Sequence, residues 1–281
     1  ALSLADQLEA FAEGKIDFVP VGTNAQAYER VKALPGAHVR KAAAPDFTVL
    51  TFNGTSPVLR DKRVRQALAL AIDREAIANE ALEAVEWPGV PMNNHVFVNT
   101  HAGYQNNAGE RATVDPAAAG ELLDKLGWRM EGEVRKRRGQ LLRLAFMVPE
   151  NSPRTGTVAQ QVQDQLKRIG VRVELHPVAA DRFFDDYITP GNFDLAASAW
   201  RGSAYPISAT RQIYTMPRRD ENGELQIEQN FARVGSPHID RALEAAVTEL
   251  DPNAAARKAN AADKLIWEEA HSLTLYQQPQ I

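Results

Sequence analysis

Trp200, Arg201, Ser203 and Tyr205 fall within six positions, and together they offer two flat aromatic faces, one fixed positive charge and one hydroxyl. That set suits non-covalent binding, because the rings can stack on a sugar ring or an apolar face while the guanidinium and hydroxyl donate hydrogen bonds. The group follows Leu195-Ala196-Ala197-Ser198-Ala199, a run of small residues that reads as a strand. Ligands of open α/β sheets gather beyond strand C-termini, so the position fits the chemistry. The competing reading packs Trp200 into the core and leaves Arg201 solvated.

Other chemically capable groups are weaker. Asp220-Glu221-Asn222-Gly223 begins like a calcium loop, but the twelfth position, which needs a bidentate carboxylate, is Phe231. A hairpin turn is expected there instead. Glu268, Glu269 and His271 end an amphipathic helix and read as a solvated face, with the histidine favourable near the helix C-terminus. His95 and His101 lie six apart in an irregular stretch and read as loop surface. Asp185 and Asp186 are adjacent, so on a helix they point about 100° apart and do not converge on one substrate atom. Arg135-Lys136-Arg137-Arg138 reads as a solvated hairpin or loop. Nucleotide-binding glycine loops, zinc-protease helices and serine-nucleophile elbows do not occur, and there are no cysteines. No catalytic residue, no metal and no cofactor is expected.

The elements that must position these residues alternate between helix and strand. The 281 residues are 44% apolar and 24% charged, which suits a packed core and excludes disorder. A net charge of -4 argues against a nucleic-acid partner, and no apolar run of about 18 residues exists to span a membrane. Leu4, Leu8 and Phe11 mark a first helix, residues 16–21 a short strand, and 25–34 a second helix. Residues 38–44 and 47–52 read as two extended pieces. The strongest helix starts near Asp61, with Val64, Leu68 and Ile72 on one stripe, and Asp73 caps a second helical piece over 74–84. Residues 87–112, rich in Pro, Gly and Asn, read as a surface or binding loop. Asp115-Pro116 opens a helix closed by Gly127. A strand over 141–148, a helix through Val158, Val162 and Leu166, and a strand over 171–175 form a right-sized βαβ crossover and hence a parallel pair. A short helix through Phe183 and Tyr187, the strand 193–200, helices over 239–250 and 253–270, and a strand over 272–276 complete an α/β chain.

Residues 61–68, Asp-Lys-Arg-Val-Arg-Gln-Ala-Leu, followed by Ala71-Ile72-Asp73-Arg74, resemble the signature of family 5 solute-binding proteins of ABC importers, of peptide-, nickel- and glycan-binding type. Leu50-Thr51-Phe52-Asn53, Gly14-Lys15-Ile16-Asp17, Gly127-Trp128, Ile169-Gly170-Val171, Phe193-Asp194 leading to Trp200, and Ser272-Leu273-Thr274-Leu275-Tyr276 agree with it in order along nearly the whole chain. The alanine- and arginine-rich wording resembles an actinobacterial branch.

The resemblance implies a periplasmic-binding-protein-like lobe, with a mixed sheet and flanking helices. Residues 1–45 would be a remnant of the first lobe, 46–53 a crossing strand, 54–275 the C-terminal ligand-facing lobe, and 276–281 the start of the return crossing. It also implies an extracytoplasmic, monomeric component of an ABC importer, not an enzyme. Its partners would be a small-molecule or oligopeptide ligand and, in the full-length protein, a permease. Membrane attachment would come only through a lipid anchor absent from this chain. A regulatory or scaffold lipoprotein of the same fold, acting through a protein partner, is the alternative. Peptide-binding members often carry Trp-x-x-Asp after the strand that ends here at Trp200, the aspartate holding a ligand ammonium. Ser203 stands at that place, which puts free-amine peptides in doubt, and Arg201 suggests an anionic or hydroxyl-rich ligand. The ligand-binding residues implied are Trp200, Arg201, Ser203 and Tyr205, with Asn53 at the end of the crossing strand.

Overall fold

The computed structural model describes residues 2–281. A five-stranded mixed sheet organises the chain, in the order β10-β1-β7-β5-β6. Its strands are β1 (Ala42–Phe52), β5 (Arg143–Pro149), β6 (Arg172–Val178), β7 (Leu195–Trp200) and β10 (Ser272–Gln280). β1 runs antiparallel to both β7 and β10, while β5 is parallel to β6 and β7. Four strands therefore end at one edge of the sheet, and β1 begins there.

Both sheet faces are covered, so the strands alternate between two cores. Leu50 and Phe52 of β1, with Leu195 and Ala197 of β7, face the largest cluster, built with Leu68, Ile77, Leu144 and Val162. Phe47 and Val49 face the other side with Met92 and Val98. The helices that supply the first core are α3 (Lys62–Ala71), α4 (Arg74–Glu83), α5 (Pro116–Lys125) and α6 (Pro153–Lys167). α3 and α4 are separated at Ile72, which is extended, and the Asp73 carboxylate accepts the Ala76 N–H at 2.9 Å. The expected break at Asp73 is present. α7 (Pro206–Tyr214), α8 (Pro237–Val247) and α9 (Pro252–Glu268) pack together through Tyr214, Leu243 and Ile266.

Two small hairpins lie outside this sheet. The first comprises β2 (Arg129–Glu131), β3 (Val134–Arg137) and β4 (Gln140–Leu141); the second pairs β8 (Arg218–Arg219) with β9 (Leu225–Gln226). In the second, Asp220 accepts the N–H groups of Asn222 and Glu224, so the calcium-like tetrad is a turn, as expected.

Several expectations are corrected. Residues 16–21 form no strand: the segment borders a small cluster with Leu8, Tyr28, Val31 and Ile281, and its link to the sheet is one bond from the Val21 N–H to the Ile281 carbonyl. That cluster also holds α1 (Leu4–Ala12) and α2 (Ala25–Lys32). The two extended pieces at 38–44 and 47–52 are one strand, β1, whose register with β10 shifts between Ala43 and Phe47, across Pro45. Pro45 offers no N–H to a ladder, which explains the irregularity. The segment 87–112 is partly interior, with Met92 and residues 94–98 buried. Its polar residues face acceptors on α9, which a search for apolar periodicity does not register.

Candidate functional site

β7 delivers Trp200 to the edge at which four strands end, and the antiparallel register sets Phe47 directly opposite it. Trp200 is half-buried. Its ring lies parallel to Phe231 at 5.7 Å and packs beside Phe47 and Val98. One reading of the sequence put this tryptophan in the core; it sits at the boundary, with part of its surface in a groove of about 120 Å³.

The loop after Trp200 is fixed by three local devices. Gly202 lies against β1 so closely that a Cβ would meet Pro45 at 2.3 Å, which demands glycine. The Gly202 N–H donates to the Asp46 carboxylate at 2.9 Å. The Ser203 hydroxyl accepts the Tyr205 N–H at 3.0 Å, closing a turn. Tyr205 is thereby held out, 77% exposed, just ahead of α7. It lines a second groove of about 480 Å³ with Phe97, Ile207, Val247 and Pro252, and the next residue, Pro206, lines both grooves. Arg201 is exposed at the rim of the first groove and makes no hydrogen bond or ion pair among the described residues. A guanidinium kept free beside a half-exposed indole is equipped to bind, not to hold the fold.

The structure brings Trp200, Arg201, Ser203 and Tyr205 together and separates Asn53 from them. Phe52 pairs with Leu195 while Phe47 pairs with Trp200, so Asn53 lies at the opposite end of β1, about 20 Å away by strand rise. It is also fully committed. Its side-chain N–H groups donate to the carbonyls of Gly191 and Phe193 at 2.9 and 2.7 Å, and its oxygen accepts the N–H and hydroxyl of Thr55. Asn53 is a structural clamp, because burial leaves its amide no valence for a ligand.

The histidines also differ from expectation. His95 is fully buried, its Nδ1 2.6 Å from the Asp263 carboxylate and its Nε2 3.2 Å from the Ser272 carbonyl. Asp263 also accepts the His95 N–H and an Asn107 side-chain N–H. His271 is buried, not solvated: Nε2 faces the Asn230 oxygen at 2.9 Å, and Nδ1 faces the Ser272 hydroxyl. Burial first, then the neighbouring His95 and Arg65, holds its imidazole well below the ordinary histidine range. These groups are sealed from solvent and serve the core. Arg135, in the basic run, is buried too, donating to the Ile169 and Trp128 carbonyls and to Asp124. His101 lines the Trp200 groove, a role its loop position did not disclose. Asp46 was also missed; the Pro45-Asp46 step before an apolar run was the available signal. Asp185 and Asp186 lie in a π-helical turn, Phe183–Ile188, where Asp186 pairs with Arg182.

Among the described residues no cluster of three or more His, Asp or Glu side chains is disposed to hold a metal. No helix among them is long and apolar enough to cross a membrane.

Residues 3–221 match the model of the bacterial extracellular solute-binding proteins, family 5. The oligopeptide-binding protein OppA of Mycobacterium tuberculosis H37Rv is 39% identical over 276 residues, covering 98% of this chain and 45% of that protein. The chain thus spans about half the length of the curated relatives it matches. Among solved structures, the periplasmic EDTA-binding protein EppA superposes with a TM-score of 0.85 at 22% identity, over 99% of this chain and 51% of that one. The oligopeptide-binding protein AppA of Bacillus subtilis, solved with a nonapeptide, gives 0.79 at 19% identity, over 99% of this chain and 53% of that one.

Proposed function

This chain belongs to family 5 of the bacterial extracellular solute-binding proteins, and from that premise we propose that it forms one wall of a solute-binding cleft serving an ABC importer. The observation that carries the reading is the arrangement at the strand-terminal edge. A half-exposed Trp200, an exposed Arg201 with no partner among the described residues and a projecting Tyr205 lie on a turn closed by the Gly202–Asp46 and Tyr205–Ser203 hydrogen bonds. In a protein that captures solute by closing two lobes, the crossing strands meet the cleft at their hinge ends. Here β1 begins and β10 ends at the edge that carries Trp200, as that geometry requires.

On this reading residues 54–275 are the ligand-facing lobe, residues 46–53 cross into it, 276–281 begin the return, and 1–45 belong to the first lobe. Leu8, Val19, Tyr28 and Val31 form a cluster of their own with Val85 and Ile281, which supports that division. The solute is an oligopeptide or another small molecule, in keeping with what the named relatives are described as binding. The chain binds and does no chemistry on it. The full-length protein works outside the cytoplasm as a monomer, held at the membrane by a lipid anchor, and passes its solute to a permease.

The test is nuclear magnetic resonance of the isotopically labelled chain with a mixture of short peptides at millimolar concentration. Shifts centred on the Trp200 indole and the Tyr205 backbone amide are expected. Shifts centred elsewhere, with those two signals unmoved, would refute the site.

A further inference from the structure

The groove beneath Trp200 contains no carboxylate: its polar side chains are those of His101, Arg201, Ser203, Thr210, Gln212 and Gln229. One acid, Asp46, lies just off that lining. It sits between Pro45 and Phe47, both of which line the groove, and strand alternation turns it to the other face, where it accepts the Gly202 N–H. Thr210 is spent on the Pro206 carbonyl at 2.7 Å. Arg201 is the one formal charge on the groove's lining and has no partner among the described residues.

His101 makes no side-chain hydrogen bond, and its Nδ1 is shut off from solvent without a partner. α7 adds no donor here: its first residue, Pro206, has no N–H, and Ile207 and Ser208 line the second groove. A cationic ligand group here would meet a like charge, with no carboxylate on the groove's lining to offset it. A carboxylate would find a guanidinium able to bind both its oxygens, with hydroxyl and amide donors nearby.

We propose that this groove is a carboxylate subsite: the solute stacks a flat or apolar portion on Trp200 and directs a carboxylate to Arg201. The inference rests on the solute-binding reading above and adds the charge of the group recognised. Arg201 would set specificity, and His101 would line the groove as a further polar contact.

Two probes of similar shape separate the possibilities. N-acetylphenylalanine carries a ring and a carboxylate but no ammonium; phenylalaninamide carries the ring and an ammonium but no carboxylate. Each is titrated into the labelled chain, wild type and Arg201→Gln, following the indole N–H of Trp200, with affinities in the millimolar range expected for molecules this small. The proposal expects N-acetylphenylalanine to shift the Trp200 signal saturably, about tenfold more weakly in Arg201→Gln, the worth of a charged hydrogen bond. Phenylalaninamide should be weaker in the wild type than in Arg201→Gln. If phenylalaninamide binds as well or better in the wild type and is indifferent to Arg201, the carboxylate assignment is overturned while the groove stands as the solute site. If neither probe moves Trp200 although peptides do, the carboxylate assignment again falls. If peptides also leave Trp200 unmoved, the site itself is wrong.

Discussion

Arg65, Arg135 and Arg201 put the same side chain to three uses. Arg65 is 3% exposed and donates to the carbonyls of Leu59, Glu269 and Ala270. Arg135 ties the first hairpin to the ends of α5 and α6. Arg201 makes no hydrogen bond or ion pair among the described residues. Arg201→Ala should therefore change stability by about 0.5 kcal/mol or less, whereas Arg65→Ala, stranding three carbonyls, should cost about 3 kcal/mol or more by chemical denaturation. A large loss from Arg201→Ala would remove it from the ligand surface. Sequence reading singled out Arg201 because its neighbours in the chain are also its neighbours in space. It misread His95 and His271 because their partners Asp263 and Asn230 lie far along the chain, and Arg135 because apolar periodicity carries no trace of a polar pair. His271 gives a pH signature. Its folded pKa lies below its unfolded value of about 6.5, so it contributes stability fully above that pH. As pH falls below 6.5 the unfolded chain takes up a proton that the fold refuses, and stability should drop by roughly 1.4 kcal/mol per pH unit from this group. Urea midpoints at pH 7 and pH 5.5 measure the slope, and His271→Gln should flatten it.

The helices and strands were more legible than their contacts. α3 and α4 announced themselves through the stripe Val64, Leu68 and Ile72 and the cap at Asp73, since both signals are local. Asp73→Ala should cost about 1 kcal/mol, as loss of an N-cap does, without moving any Trp200 signal. A cost near zero would mean that the Gln165 side chain, which accepts the Asp73 N–H at 2.7 Å, fixes the junction unaided. The β5–α6–β6 crossover was equally plain, because its length and periodicity admit little else. β1 was not, since its central place in the sheet depends on β7 and β10, which arrive over 140 residues later. The strand expected at 16–21 failed for the converse reason. Val19 and Val21 are buried against helices while Phe18 is 67% exposed, and burial without a ladder partner does not make a strand.

Across the whole molecule, the helical segment 4–32 joins the main body through apolar contact with Val85 and Ile281, the Val21–Ile281 backbone bond and one charged knot. Glu86, just past α4, accepts from the Tyr28 hydroxyl at 2.7 Å and pairs with Lys32 at 2.5 Å and Lys41 at 3.4 Å. The Lys32 and Tyr28 bonds hold its carboxyl at about 2. A carboxylate with a depressed folded pKa lends stability above its unfolded value, near 4.5, and loses it as pH falls towards 2. Amide exchange in residues 4–32 should thus quicken between pH 5 and pH 2 relative to the sheet, and Glu86→Gln should quicken it already at pH 5. Equal protection in both regions throughout would show that apolar packing alone joins them. The binding edge lies at the same end of the sheet, where β1 begins and β10 ends, so the account stands or falls on the loop after Trp200. Its most direct test is the dissociation constant of the peptide selected from the mixture, measured for wild type, Tyr205→Ala and, as a remote control, Val114→Ala. Tyr205 is 77% exposed and Val114 41%, so neither change should disturb the core. The account predicts about tenfold weaker binding for Tyr205→Ala, the loss of one stacking face, with Val114→Ala unchanged. Equal affinity in all three proteins would contradict it.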